Sequence, residues 1–126
     1  MENSTMQRGP EQWFLDAHPE RGSVRVQVST GRGLFPVEGA RVEIYRHLGP
    51  EPTVFYEGVT DASGIAEDIR LPALPAGWSQ SAETAGISGT VYQVSVRHPQ
   101  HGTVEGRPVT VFPRIETVLA VSLGAA

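Results

Sequence analysis

A two-sheet sandwich of seven short, mostly antiparallel strands is the fold that this 126-residue sequence predicts. Three observations carry it. Gly and Pro are abundant, at 14 and 10, which suits many short elements joined by turns. Several segments alternate apolar and polar residues at the period of a half-buried strand. Turn residues separate those segments at short, regular intervals. The length suits one domain, and a chain of this size buries about two-thirds of its unfolded surface without a staple.

The strands follow in order. In "SVRVQVST" (Ser23–Thr30), Val24, Val26 and Val28 face one side and Arg25, Gln27 and Ser29 the other. "GRGLFPVEGA" turns the chain, with Gly31, Gly33 and Gly39 free to take positive φ. "RVEIYRH" (Arg41–His47) is the second strand and buries Val42 and Ile44. "TVFYEGV" (Thr53–Val59) is the third, and "IAEDIRL" (Ile65–Leu71) is a weaker fourth. A long loop then runs from Pro72 to Gly89, a length that is functional or disordered in most compact domains. "TVYQVSVRH" (Thr90–His98) points Tyr92, Val94 and Val96 inward. "TVEGRPVTVF" (Thr103–Phe112) contains Gly106 and Pro108, which places it at an edge or at a bulge. "IETVLAVSL" (Ile115–Leu123) closes the domain.

Residues 1–22 read as a polar N-terminal arm, flexible or docking, ahead of a sandwich over 23–124. The arm's one apolar knot is Trp13-Phe14-Leu15, and a single helical turn is expected there. Trp13 and Trp78 both lie outside the strands, where aromatics serve as interface anchors or fold back to cap a sandwich end. Trp13, Phe14, Leu15 and Trp78 are therefore the candidate interface residues. The Thr103–Thr110 edge offers a second route to association, by strand addition.

Composition excludes several chemistries. Cys is absent, which removes disulfides, thiolate metal sites and cysteine nucleophiles. Lys is absent too, so a side-chain Schiff base and Lys-based isopeptide crosslinks are impossible. The net charge is −4 and no basic block exists, so no nucleic-acid partner is expected. No apolar run reaches membrane-spanning length, so no membrane insertion is expected. The first 22 residues do not form a classical signal peptide. The expected location is thus cytoplasmic, or external by a non-classical route.

The stretch "TDASG" (Thr60–Gly64) poses a choice between metal loop, active-site fragment and turn. A calcium loop needs oxygen ligands at alternate positions, and Ala62 and Ile65 cannot supply them. Ser63 has no histidine near it in sequence. A turn wants Asp first and Gly where φ becomes positive, so Asp61 and Gly64 read as a structural turn.

The runs "GLFPVEGARVEIYR" and "VTDASGIAEDIRLPALP", with the later "YQVSVRHPQHGTVEGRPVTVFPRIETVLAVSL", resemble the carboxypeptidase-regulatory-like domains. The steps that match are Pro36-Val37-Glu38-Gly39-Ala40 and the Thr60–Gly64 turn. The pair His101-Gly102 replaces a glycine-aromatic pair of that family. The resemblance implies a transthyretin-like (prealbumin-like) Greek-key sandwich, all-β and antiparallel. "LPALP" and "VFP" narrow it to small stand-alone copies from spore-forming bacteria. It implies a non-catalytic accessory, adhesive or assembly module, spore- or envelope-associated. Two other functions fit the residues: a self-assembling subunit of a filament, tube or particle, and a carbohydrate- or peptidoglycan-binding module using Trp78 with Tyr56.

Catalytic readings find less support. Related sandwiches include hydroxyisourate hydrolases with a C-terminal Y-R-G-S motif, whereas this chain ends "VSLGAA". Others are iron dioxygenases with two Tyr and two His at the metal, whereas Tyr45, Tyr56 and Tyr92 read as strand residues. His98 and His101 could hold half of a zinc site, with His47 as the one plausible third ligand and His18 in the arm, but a solvated hairpin tip carrying two histidines is the preferred reading. The acids Glu11, Asp16, Glu20, Glu38, Glu43, Asp61, Glu67 and Asp68 show no paired arrangement. The chain is therefore expected to be no enzyme, to hold no metal and to need no cofactor, and to bind a protein, itself, or a cell-wall polymer.

Overall fold

The computed structural model describes residues 9–31, 33–74 and 89–124. Among them are a helix, α1 (Pro10–Ala17), and eight strands. The strands are β1 (Glu20–Thr30), β2 (Phe35–Pro36), β3 (Arg41–His47), β4 (Pro52–Val59), β5 (Ile65–Ala73), β6 (Thr90–His98), β7 (Gly102–Val111) and β8 (Glu116–Ser122). They form two sheets. In the first, β1 is central, with β8 on one side and β5 and β2 on the other. The second runs β4-β3-β6-β7 and is antiparallel throughout.

The alternation predicted for the strands is met. Val24, Val26 and Val28 of β1 are buried, as are Val42 and Ile44 of β3 and Tyr92, Val94 and Val96 of β6. Ile69, Leu71, Val109, Val111, Leu119, Val121 and Leu123 complete the space between the sheets. Burial of these faces is the main force holding two sheets together. The predicted edge position of β7 is met, and so is its bulge: the register with β6 shifts between Val94 and Val96, where Gly106 has φ 72°.

Three expectations need correction. The seven strands become eight, because Phe35–Pro36 pairs with Ser29–Thr30 as a two-residue strand. The sandwich is not wholly antiparallel, because β8 pairs with β1 in parallel, Ser23 opposite Glu116. Its connection crosses from the second sheet and enters at the end where β1 also starts. Parallel neighbours always need such a crossover, here supplied by the opposite sheet. Finally, β5 continues through Pro72 to Ala73, which an edge strand permits.

The N-terminal segment also differs from a free arm. Helix α1 starts with Pro10, whose missing N–H costs nothing at that position. It covers the end of the sandwich where β1 begins. Phe14 is only 7% exposed and belongs to the core. Its ring lies edge-on to Phe55 (5.6 Å) and Tyr92 (6.1 Å). Arg46 places its guanidinium 5.0 Å from the same ring, a cation–π contact.

Candidate interaction sites

The "TDASG" stretch is a turn, and its chemistry is structural. Asp61 Oδ1 accepts hydrogen bonds from the Ser63 and Ile65 N–H groups, at 2.9 and 3.0 Å. Gly64 has φ 76°, and a Cβ there would lie 2.4 Å from the Val28 carbonyl oxygen. The neighbouring Thr60 ties the Val37–Ala40 step to this turn. Its hydroxyl accepts the Ala40 N–H at 2.9 Å and donates to the Val37 carbonyl at 2.6 Å. Thr60 is buried, so neither bond competes with water. Thr60→Val should therefore cost about 2 kcal/mol of stability, because the Ala40 N–H is left without a partner; urea unfolding measures this.

The predicted interface residues separate. Trp13 is 64% exposed and stands on the outer side of α1. Phe14 is spent inside its own sandwich and Leu15 is half-buried against the same core, so neither is presented to a partner in this arrangement. Trp78, expected to act with Tyr56, lies outside the described residues, and Tyr56 is half-buried. The β7 edge is interrupted by the Gly106 bulge and by Pro108, which weakens it as a template for strand addition.

Two residues that the sequence reading passed over are the most exposed large apolar pair. Leu34 is 74% exposed and Phe35 62%, side by side at the tip that joins β1 to β2. This tip lies at the far end of β1 from α1. The chain reverses there through Gly31, φ 63°, and the Phe35 ring lies over that glycine, 2.9 Å from where a Cβ would sit. Backbone bonds from Gly33 N–H to Thr30 and from Leu34 N–H to Gly31 hold the turn. A depression of about 400 Å³ lies beside the tip, lined by Gln27, Ser29, Gly33, Pro36, Ser63 and Ile65 among others. Nothing in "GLFP" singles the pair out, because it follows a glycine-rich turn and carries no alternation that would assign it to a face.

The histidines occupy three separate places. His98 and His101 share a hairpin tip with ring centroids 4.8 Å apart, and His98 Nδ1 accepts the Gln100 N–H. His47 is at the opposite end of the second sheet, because Arg41 rather than His47 faces Arg97. Six residues of strand, about 20 Å, separate those ends, so His47 is no third ligand. Among the described residues no group of three or more His, Asp or Glu gathers at metal-binding distance. His18 stacks on Phe14 at 3.9 Å, and its Nδ1–H donates to the Phe14 carbonyl at 2.7 Å.

Burial holds the His18 imidazole below its ordinary value of 6.5, assisted by the Arg46 charge and opposed by the Phe14 hydrogen bond. The unfolded chain thus takes up this proton at a higher pH than the folded one. The stability that neutral His18 contributes is complete above its ordinary value and declines as pH falls below it. Urea unfolding from about pH 7.5 to about pH 5 should show that decline, and His18→Gln should flatten it.

The three tyrosines share no centre. Tyr92 is buried and donates to the Pro72 carbonyl at 2.6 Å, and burial pushes its phenol far above the ordinary value. Tyr45 is half-buried and packs against His47, with ring centroids 5.7 Å apart. The pairs Arg25–Glu67 (3.8 Å), Arg41–Glu57 (3.6 Å) and Arg114–Glu20 (3.6 Å) are solvent-accessible, and such pairs contribute little stability.

Comparison with known proteins gives a fold. No family model matches the chain, and no curated protein matches it in sequence. Solved structures do match. The Bacillus anthracis TIE protein superposes with a TM-score of 0.54 and 17% identity over 82% of this chain, which is 16% of that one. The sandwich fold is shared. (S)-allantoin synthase superposes with a TM-score of 0.48 and 17% identity over 95% of this chain and 54% of that one. The chain therefore spans about one-sixth of the first protein and about half of the second.

The expectation that the chain is no enzyme does not stand. The finding against it is that an enzyme structure, that of (S)-allantoin synthase, is among the matches. At that TM-score and identity the likeness assigns no reaction to this chain either.

Proposed function

We propose that this chain is an accessory or structural module that binds a protein or polymer partner within a larger assembly. The observation that carries the reading is the Leu34–Phe35 tip, two large apolar side chains left in water on a turn fixed by backbone hydrogen bonds. Exposed apolar groups held rigidly lose little freedom on binding, which favours contact. The neighbouring depression gives a partner side chain somewhere to enter. The ordered motifs resembling carboxypeptidase-regulatory-like, transthyretin-like domains support the same class of function, as does a spore or envelope setting inferred from that resemblance.

A second reading has its own observation. Trp13 and the Leu34–Phe35 tip lie at opposite ends of the sandwich, so end-to-end contact between copies would generate a filament or ring. Both readings share one test. The double variant Leu34→Ser, Phe35→Ser should leave unfolding nearly unchanged and abolish association. Light scattering over a concentration series reads self-association, and the apparent mass in extracts of producing cells reads a foreign partner. Undiminished association in both would sink the role of the tip.

A further inference from the structure

We infer that the cleft lined by Arg21, Arg70 and Arg114 is a binding site for a phosphate group, separate from the apolar tip. The cleft measures about 280 Å³ and is completed by Gly22 and Ser23. The sequence alone scatters these arginines over nearly a hundred positions; the fold brings them together in three steps. Arg21 and Ser23 lie on the outward face of β1, opposite to the buried Val24 set. Arg70 faces Ser23 across the β1–β5 ladder and so sits diagonally beside Arg21. The crossover from β7 to β8 then lies against β1. It can do so because residue 22 is Gly: a Cβ there would fall 2.2 Å from the Phe112 carbonyl oxygen. The Arg114 N–H donates to the Arg21 carbonyl at 2.8 Å, and the Ser23 N–H to the Ile115 carbonyl at 3.1 Å. Arg114 takes the left-handed conformation, φ 62°, at that corner.

The charge arrangement asks for an anion. Three of the ten arginines share one small cleft in a chain whose net charge is −4. Arg114 pairs with Glu20 at 3.6 Å, whereas neither Arg21 nor Arg70 has a carboxylate at ion-pair distance among the described residues. Glu116 stands across from Ser23 in β8, and Glu67 is taken up by Arg25 further along the same outward face. Like charges placed diagonally repel, so the cluster is stabilised by a ligand that bridges them. Guanidinium forks match tetrahedral oxyanions with paired donors, and the Ser23 hydroxyl adds one more. The volume lies below that of a drug-sized pocket, which suits a single phosphate rather than a sugar chain. The source is either free phosphate or a phosphodiester unit of an anionic polymer.

Calorimetric titration of the full chain at low ionic strength tests this, in two arms. One uses inorganic phosphate and the other a soluble phosphodiester polymer, with chloride at matched ionic strength as the control salt. Saturable binding in either arm is expected, weakened roughly tenfold by Arg21→Gln or Arg70→Gln. Arg97→Gln, on the opposite sheet, should change nothing. Binding of polymer alone would assign the site to a phosphodiester; binding of phosphate alone, to the free ion. Silence in both arms overturns the inference, as does binding that survives Arg21→Gln and Arg70→Gln together. Circular dichroism confirms that these exposed substitutions leave the fold intact.

Discussion

Replacing Gly64 by Ala is expected to cost about 3 kcal/mol of unfolding free energy or more. Two separate terms add. The φ of 76° is disfavoured for any residue with a Cβ. The Cβ itself would sit 2.4 Å from the Val28 carbonyl oxygen and 3.0 Å from the Val37 nitrogen, both backbone atoms of the core-forming segment. Neither can move alone. Val28 N–H donates to the Gly64 carbonyl at 2.7 Å, and Val37 N–H donates to the Val28 carbonyl at 3.0 Å. The substitution would therefore push β1, β2 and the 60–64 turn apart together. Urea unfolding gives the answer directly. A loss below about 1 kcal/mol would mean that the turn is more adaptable than this packing allows.

Phe14→Ala should destabilise the chain by about 3 kcal/mol, the usual scale for emptying a buried aromatic site. The ring is held on every side, by His18, Phe55, Tyr92 and Arg46. Among the described side chains of this short helix, Leu15 is the other one packed on the core, so the helix itself should detach. Trp13→Ala provides the contrast with a smaller loss, since 64% of that residue stays exposed in the folded chain. Equal effects of the two substitutions would show that α1 does not dock through Phe14. Removing residues 1–20 should likewise destabilise the sandwich, because it takes away a core side chain and the first residue of β1.

What could be read in advance was whatever repeats with a period of two. The β1, β3 and β6 faces are legible because Val24, Val42 and Val94 recur with their neighbours on one side. The Asp61–Gly64 turn is legible because a turn's demands are local. The helix's role was hidden, because "WFL" carries no period and only tertiary contact shows that Phe14 goes in and Trp13 stays out. Strand β2 was hidden by its two-residue length. The parallel β1–β8 pairing was hidden because alternation names faces and not neighbours. Both candidate sites were hidden for a related reason. Arg21, Arg70 and Arg114 meet only through register and crossover, and Leu34–Phe35 counts as unusual only once the turn is known to leave it in water.

Site-specific photocrosslinking in producing cells tests the role of the tip most directly. A photoreactive residue in place of Phe35 should trap a discrete partner band or a ladder of copies of this chain. The same residue in place of Glu105, exposed on the β7 edge, should trap neither. A clean band or ladder at position 35 alone is the predicted result. Equal labelling at both positions, or none at 35, would contradict the assignment of the Leu34–Phe35 tip as the contact surface.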